Sequence, residues 1–163
     1  MNYKILSLGL SLLLYGIAMA LPCLLFKIVP IDPLIVPNPQ NYNYTMRGFE
    51  LTFFGIFGLM FLQITALGWL ANPIYWISCF FFTYRKYKIS AIMGTTAVAI
   101  GFSGTLLGFQ YKLPSSEGLP PNALISSFLP GFWVWLAAPG LLALVSLFYL
   151  LKKPQYSEKL TEV

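Results

Sequence analysis

The sequence predicts an all-α membrane protein, a polytopic transmembrane bundle of five helices. Hydrophobic residues make up 58% of the 163 positions and charged residues only 9%, whereas soluble domains carry about 25% charged residues. Apolar runs long enough to cross a hydrocarbon core of about 30 Å recur along the chain. The cations behind the net charge of +5 stand beside these runs, as positive-inside loops do. We therefore expect membrane lipids, and not nucleic acid, as partners.

The first helix is expected over residues 5–26. Ala18-Met19-Ala20 resembles the small-residue cleavage site of a signal peptide, but the apolar run continues beyond it, so we interpret the run as a retained span. A loop over residues 27–46 follows, because four prolines in this stretch prevent a helix from continuing.

The apolar stretch of residues 49–84 is too long for one span, at about 54 Å of straight helix. Asn72 and Pro73 predict the break, since Asn is a favoured N-cap and Pro favours the first helical position. We expect helices over 49–67 and 73–87. The second is short, at about 22 Å, so the alternative is four spans plus a re-entrant half-helix.

The fourth helix, expected over residues 89–109, is rich in small residues. Gly101, Gly104 and Gly108 recur at steps of three and four, which places them on one face of a helix. Glycine lets helix backbones approach closely. We expect this face to pack against another helix of this chain or of a neighbour.

A fifth helix is expected over residues 131–151, after an external polar loop. Pro139 removes a backbone hydrogen bond and predicts a kink near the middle of this helix. The whole of residues 1–151 then forms a single transmembrane helical domain, and residues 152–163 form a charged cytoplasmic tail.

Two further groups of residues are candidates for contacts inside or beside the membrane. Gln63 and Thr65 are polar groups within an apolar helix, and an unpaired amide in hydrocarbon costs several kcal/mol, so we expect them to meet another helix, a wet cavity or a ligand. The second group is basic and flanks the predicted spans, where anionic lipid headgroups lie: Arg85, Lys86, Lys88, Lys152 and Lys153.

The cation distribution permits two topologies. Five crossings with the N-terminus outside and four crossings with the N-terminus inside give similar biases of Lys and Arg. Both place residues 85–88 and the C-terminus in the cytoplasm. They differ only in the side of the N-terminus and the first loop.

The sequence also restricts the chemistry. Histidine is absent, which excludes His-ligated haem and Ser-His or Cys-His nucleophiles. No ionisable Asp, Glu, Lys or Arg lies well inside an apolar run, although ion-coupled transporters normally keep such residues there. We expect no enzymatic activity, no cofactor and no metal.

Several short aromatic and basic motifs resemble a group of small uncharacterised bacterial multi-pass inner-membrane proteins. The resemblance covers about residues 48–151 and implies a bacterial inner membrane, without an activity to carry over. Pro139 and the longer tail depart from the pattern. The motifs are Gly48-Phe49, Trp69-Leu70-Ala71-Asn72-Pro73, Arg85-Lys86-Tyr87-Lys88 and Gly131-Phe132-Trp133-Val134-Trp135-Leu136-Ala137.

Two hypotheses of function follow. The first is a structural or accessory subunit that forms a homo-oligomer or packs into a larger membrane complex, based on the small-residue helix and the lack of buried charge. The alternative is a carrier or binder of a lipid or small apolar solute, suggested by Gln63, Trp133, Trp135 and the proline in the last helix.

Overall fold

Five α-helices and one three-stranded sheet form the part of the chain that the computed structural model describes, residues 3–28, 43–60, 62–111 and 123–152. The helical bundle predicted from the sequence is confirmed. The elements in chain order are α1 (Tyr3–Ala20), β1 (Pro22–Ile28), β2 (Asn43–Arg47), α2 (Gly48–Met60), a 3-10 helix (Ile64–Leu70), α3 (Ala71–Thr83), α4 (Tyr87–Leu106), a second 3-10 helix (Leu107–Phe109), β3 (Ala123–Phe128) and α5 (Pro130–Lys152).

Four of the described helical segments are long and apolar enough to cross a membrane: Tyr3–Ala20, Ile64–Thr83, Tyr87–Phe109 and Pro130–Lys152. The remaining helix, α2, has 13 residues, or about 20 Å of length. The number of long segments matches the four-span alternative. The short helix, however, is α2 and not the segment of residues 73–87.

The break between α2 and the next span lies at Leu62 and not at Asn72-Pro73. Leu62 has a φ of 53°, its N–H donates to Leu59 O at 3.0 Å, and the N–H of Gln63 donates to Gly58 O at 2.9 Å. This pair of bonds is the Schellman closure of a helix C-terminus. Pro73 falls in the first turn of α3, where a missing donor is tolerated, so the 3-10 helix runs directly into α3. The extra turns lengthen this span to 20 residues.

Helix α1 ends at Ala20, six residues earlier than predicted. Pro22 lacks an N–H and disfavours the α conformation at Leu21, so the apolar run leaves the helix there. Residues 22–28 instead form β1, the central strand of an antiparallel sheet with the order β2-β1-β3. Leu24 pairs with Met46 on one side and with Phe128 on the other. None of these strands was predicted.

Buried hydroxyl groups join the spans within the bundle. Ser78, Ser90 and Ser146 come from α3, α4 and α5 and are fully buried. Ser146 Oγ donates to Ser90 Oγ at 3.0 Å, and Ser78 Oγ donates to the Ser90 carbonyl at 2.8 Å. Because lipid gives little hydrophobic drive for helix association, such hydrogen bonds help to hold the spans together.

The two ends of the bundle differ. Lys4 Nζ lies 5.5 Å from the ring centroid of Tyr87 and 5.6 Å from that of Tyr149, so the starts of α1 and α4 meet the end of α5. We call this the basic end and the opposite end, which carries β1, β2 and β3, the sheet end. Since α1 begins and α5 finishes at the basic end, the four long segments among the described residues are enough to connect the two ends.

Helix α5 runs without interruption from Pro130 to Lys152 and contains Pro139. Ser11 Oγ of α1 donates to the Ala138 carbonyl beside this proline at 2.8 Å. The predicted kink remains a prediction. The predicted tail, except for Lys152, and most of the two predicted loops lie outside the described residues.

Candidate binding cavity

A cavity of about 160 Å³ lies between α2, the sheet and the spans at the sheet end. Every described α-helix and strand contributes at least one residue to its wall. Apolar side chains predominate, and none of the described lining residues is charged. Aromatic and thioether groups supply much of the surface: Met19, Phe26, Met46, Phe54, Phe57, Trp69, Phe132 and Trp135.

Helix α2 closes one side of this cavity with its small residues. Gly55 lies against the Trp69 ring, and a Cβ at Gly58 would be 2.7 Å from Ala66 Cβ. Trp69 Nε1 donates to the Thr52 carbonyl of α2 at 2.7 Å. The opposite face of α2 exposes Phe53 and Met60. In a membrane this geometry places α2 between the lipid and the cavity.

Asn72 is the most deeply buried amide of the cavity wall, with 6% of its surface accessible. Its Oδ1 accepts a hydrogen bond from Trp135 Nε1 at 2.9 Å and from the Tyr15 hydroxyl at 3.1 Å. An indole N–H is only a donor, so the oxygen of the amide must face Trp135. The amide NH₂ therefore points away from this pair.

Thr65 supplies a second polar group to the cavity wall. Its Oγ1 is buried and has no hydrogen-bond partner among the described residues. Unsatisfied buried hydroxyls are uncommon, because each costs free energy unless a partner is present. Gln63, from the turn before the 3-10 helix, also lines the cavity. Both polar groups predicted from the sequence therefore lie at this cavity.

Thr65 and Asn72 belong to one stripe of the same span. Thr65, Gly68, Trp69 and Asn72 follow helical spacing, and all four line the cavity. Along the axis, Thr65 and Asn72 are about 13 Å apart at the rise of a 3-10 helix followed by an α-helix. The cavity thus has two hydrogen-bonding positions separated by apolar surface.

Replacing Thr65 with valine is expected to stabilise the ligand-free protein by about 1 kcal/mol, because the change removes a buried hydroxyl that has no partner in the described part of the chain. The matched control is Thr105→Val. Thr105 Oγ1 donates to the Gly101 carbonyl, so its loss should lower stability by about 0.5 to 1 kcal/mol. Detergent unfolding midpoints of both variants measure the difference. Equal destabilisation by the two changes would contradict the expectation.

Cys23 of β1 also lines the cavity and is 3% exposed. Burial raises the pKa of its thiol from 9.0 to about 12, since the thiolate is poorly solvated there. The thiol donates weakly to the Ala18 carbonyl at 3.5 Å. Because the thiolate is the nucleophile, this cysteine is structural and not reactive.

We expect Cys23 to react with a thiol reagent at pH 8 roughly a thousandfold more slowly than an exposed cysteine, as a pKa raised from 9.0 to about 12 lowers the thiolate fraction by that factor. The measurement is alkylation followed by mass in the Cys79→Ala variant. The same variant unfolded in detergent gives the reference rate. Similar rates in folded and unfolded protein would rule out the shift.

The three predicted packing glycines all lie in close contacts within the chain. A Cβ at Gly101 would be 3.0 Å from Leu136 Cδ2 and 3.1 Å from Ala71 Cβ, and one at Gly104 would be 2.7 Å from Gly68 Cα. Gly108 faces Ile125 of β3. Of these three glycines, Gly108 alone lines the cavity.

The predicted lipid-contact residues gather at the basic end. Arg85, Lys86 and Lys88 are exposed in or beside the α3–α4 turn, and Lys152 is exposed at the end of α5. Arg85 occupies a second Schellman closure with a φ of 60°. Lys153 lies outside the described residues. These cations are far along the spans from the cavity, so they belong to a different surface.

Sequence reasoning missed Asn72 as a buried polar group. The sequence predicts Asn72 as a helix cap, but α3 begins at Ala71, so Asn72 lies inside the helix. The cost argument applied to Gln63 would have indicated Asn72 as well, since both are amides in apolar runs. Trp133, by contrast, is 53% exposed and does not line the cavity.

Comparison with protein-family models, with curated proteins and with solved structures gave no match. Within the described residues, no group of three or more His, Cys, Asp or Glu side chains is arranged to hold a metal ion. The described cavity wall combines apolar surface, aromatic rings and a few uncharged hydrogen-bonding groups.

Proposed function

We propose that this protein is an integral membrane protein that binds a small apolar solute, or a short section of a lipid, in the cavity at its sheet end. The observation that carries the proposal is the mainly apolar cavity of about 160 Å³, in whose wall the Thr65 hydroxyl has no partner among the described residues. Binding sites are typically apolar pockets with a few placed polar groups.

The volume limits the size of the ligand. An apolar cavity of about 150 Å³ in another protein binds benzene, whereas pockets for drug-sized ligands measure about 300 to 1,000 Å³. The cavity described here therefore holds a group the size of one aromatic ring or a short run of methylenes. A whole lipid would have to leave most of its length outside.

The accessory-subunit hypothesis remains a prediction without a specific contact in its favour. It depended on the glycine face of α4, and Gly101 and Gly104 meet Leu136, Ala71 and Gly68 of the same chain. Their contacts are accounted for within one bundle. The cavity is the feature that such packing leaves unexplained.

Native mass spectrometry of gently solubilised protein tests the proposal. A bound mass of a small solute or lipid should accompany the wild type and should be lost in Thr65→Phe, which fills the cavity. Ile64→Phe is the matched control, because Ile64 is 51% exposed and does not line the cavity. Equal retention by both variants, or no bound mass in any of them, would overturn the proposal.

For location, we propose a bacterial inner membrane with the basic end in the cytoplasm. The described cations support this orientation: Lys4, Arg85, Lys86, Lys88 and Lys152 lie at the basic end, against Lys27 and Arg47 at the sheet end.

Single cysteines at Lys86 and Lys27, in a background without Cys23 and Cys79, measure this orientation. An impermeant thiol reagent should label position 27 but not position 86 in cells whose outer membrane is permeabilised. Lysis of the inner membrane should then expose position 86. The reverse pattern would show that the basic end faces outward.

A further inference from the structure

The geometry points to an uncharged hydrogen-bond acceptor, such as a ketone or ester carbonyl oxygen, as the ligand group that the Asn72 amide NH₂ recognises. This inference rests on the proposed function and specifies the chemistry of its ligand. It concerns which solute the cavity prefers, and not whether the cavity binds one.

The orientation of the amide is the first step. Trp135 Nε1 donates to Asn72 Oδ1 at 2.9 Å, and an indole N–H cannot accept. The Tyr15 hydroxyl donates to the same oxygen at 3.1 Å. Two partners from α1 and α5 therefore fix the amide in one rotation, and its NH₂ cannot exchange places with its oxygen.

The free donors of this amide are the second step. Asn72 Nδ2 forms no hydrogen bond with the described residues and is not among their fully buried unpartnered atoms, so it keeps accessible surface on a residue that lines the cavity and is 6% exposed. Buried amide N–H groups are normally paired, with protein, water or a ligand. The partner that this wall is built to receive is an acceptor inside the cavity.

The charge of the acceptor is the third step. None of the described cavity-lining residues is cationic, so an anion would enter apolar surroundings without a counterion, at a large desolvation cost. A neutral carbonyl loses far less on entering and regains a hydrogen bond at Asn72. The ring-sized volume leaves space for one apolar group beside that carbonyl.

Three probes of similar size test the inference in wild-type protein reconstituted in nanodiscs: 4′-fluoroacetophenone, 1-ethyl-4-fluorobenzene and 4-fluorobenzoate, followed by ¹⁹F NMR. The ketone and the hydrocarbon share a carbon skeleton and differ in the carbonyl oxygen. Partitioning into lipid is subtracted with the cavity-filled Thr65→Phe protein. We expect the ketone to bind about three- to tenfold more tightly than the hydrocarbon, as one neutral hydrogen bond provides, and the carboxylate not to bind.

The outcomes separate the two proposals. Equal affinity for ketone and hydrocarbon would overturn the inference and leave the proposed function standing. Failure of both neutral probes to bind would overturn the proposed function itself. Asn72→Leu should bring the ketone-to-hydrocarbon ratio to about one, and an unchanged ratio in a folded Asn72→Leu protein would also contradict the inference. The wild-type ratio decides the matter if that variant does not fold.

The same carbonyl chemistry could come from a membrane lipid or from a free solute, and a displacement assay distinguishes them. A short-chain monoacylglycerol, an uncharged single-chain ester, should displace the fluorinated ketone if the lipid ester is the source. If only the small ketone occupies the cavity, a free solute is the source. Both results support the acceptor at Asn72.

Discussion

Replacing Gly104 with leucine is expected to lower the free energy of unfolding by about 3 kcal/mol, the upper part of the range for overpacked cores. The neighbours of position 104 are backbone atoms, which cannot rotate away: an added Cβ would lie 2.7 Å from Gly68 Cα and 2.9 Å from the carbonyl carbon of Leu67. The span Ile64–Thr83, which carries Thr65 and Asn72 in the cavity wall, would have to separate from α4.

Gly16→Leu is the matched control for this change. Gly16 also lies within a spanning helix, but an added Cβ there meets nothing within 4 Å. The control should shift stability by less than about 0.5 kcal/mol. Titration from mild detergent into dodecyl sulfate, followed by circular dichroism, measures both variants. Coincident unfolding midpoints for Gly104→Leu and wild type would show that the α4 contact is not as close as described.

Asn72→Leu is expected to cost about 2 kcal/mol, because it leaves two donors without their acceptor. The Tyr15 hydroxyl and Trp135 Nε1 both lose Asn72 Oδ1. A buried donor left unsatisfied costs about 1 to 3 kcal/mol, although hydrogen bonds within membranes average nearer 0.6 kcal/mol. Leucine has the same branching and number of heavy side-chain atoms as asparagine, so we expect packing to contribute less than the lost bonds.

Removing the donors as well should recover part of this loss. In the Asn72→Leu background, Tyr15→Phe and Trp135→Phe should each cost less than they do in the wild type, because no orphaned donor remains. The double-mutant cycle, measured by the same unfolding titration, isolates the two bonds. Additive effects throughout would indicate that the Asn72 contacts contribute nothing to stability.

The helices were predictable from the sequence because their signal is local. Apolar runs predicted the last two spans to within two residues, and the i, i+3, i+4 recurrence identified Gly101 and Gly104 as positions of close approach. Gln63 and Thr65 were found because a polar group in an apolar run must have a partner. Each of these inferences uses residues adjacent along the chain.

The misplaced boundaries have physical reasons that differ from case to case. Proline at position 22 ends α1 and proline at position 73 does not end its span, because only the second falls in a first turn where a donor is not required. The break at Leu62 has no glycine to mark it, since a leucine adopts the left-handed conformation. Residue type alone does not separate these cases.

The cavity could not be predicted because its walls come from distant parts of the chain. The Asn72 oxygen meets residues 57 positions before it and 63 positions after it. The pairing of Leu24 with Phe128 joins two short apolar runs that, read singly, suggest a helix end and a loop. Such pairing leaves no periodic pattern in the sequence.

The central position of β1 in the sheet sets an order of events during synthesis. Phe128 is 104 residues after Leu24, its partner (128 − 24 = 104), so at 5 to 20 residues per second β1 waits roughly 5 to 20 s for β3 to be made. Until then only the hairpin of β1 with β2 is available, and an isolated hairpin is marginally stable. The cavity therefore remains open on the β3 side while α4 is being inserted, and it closes only when the last strand and span arrive.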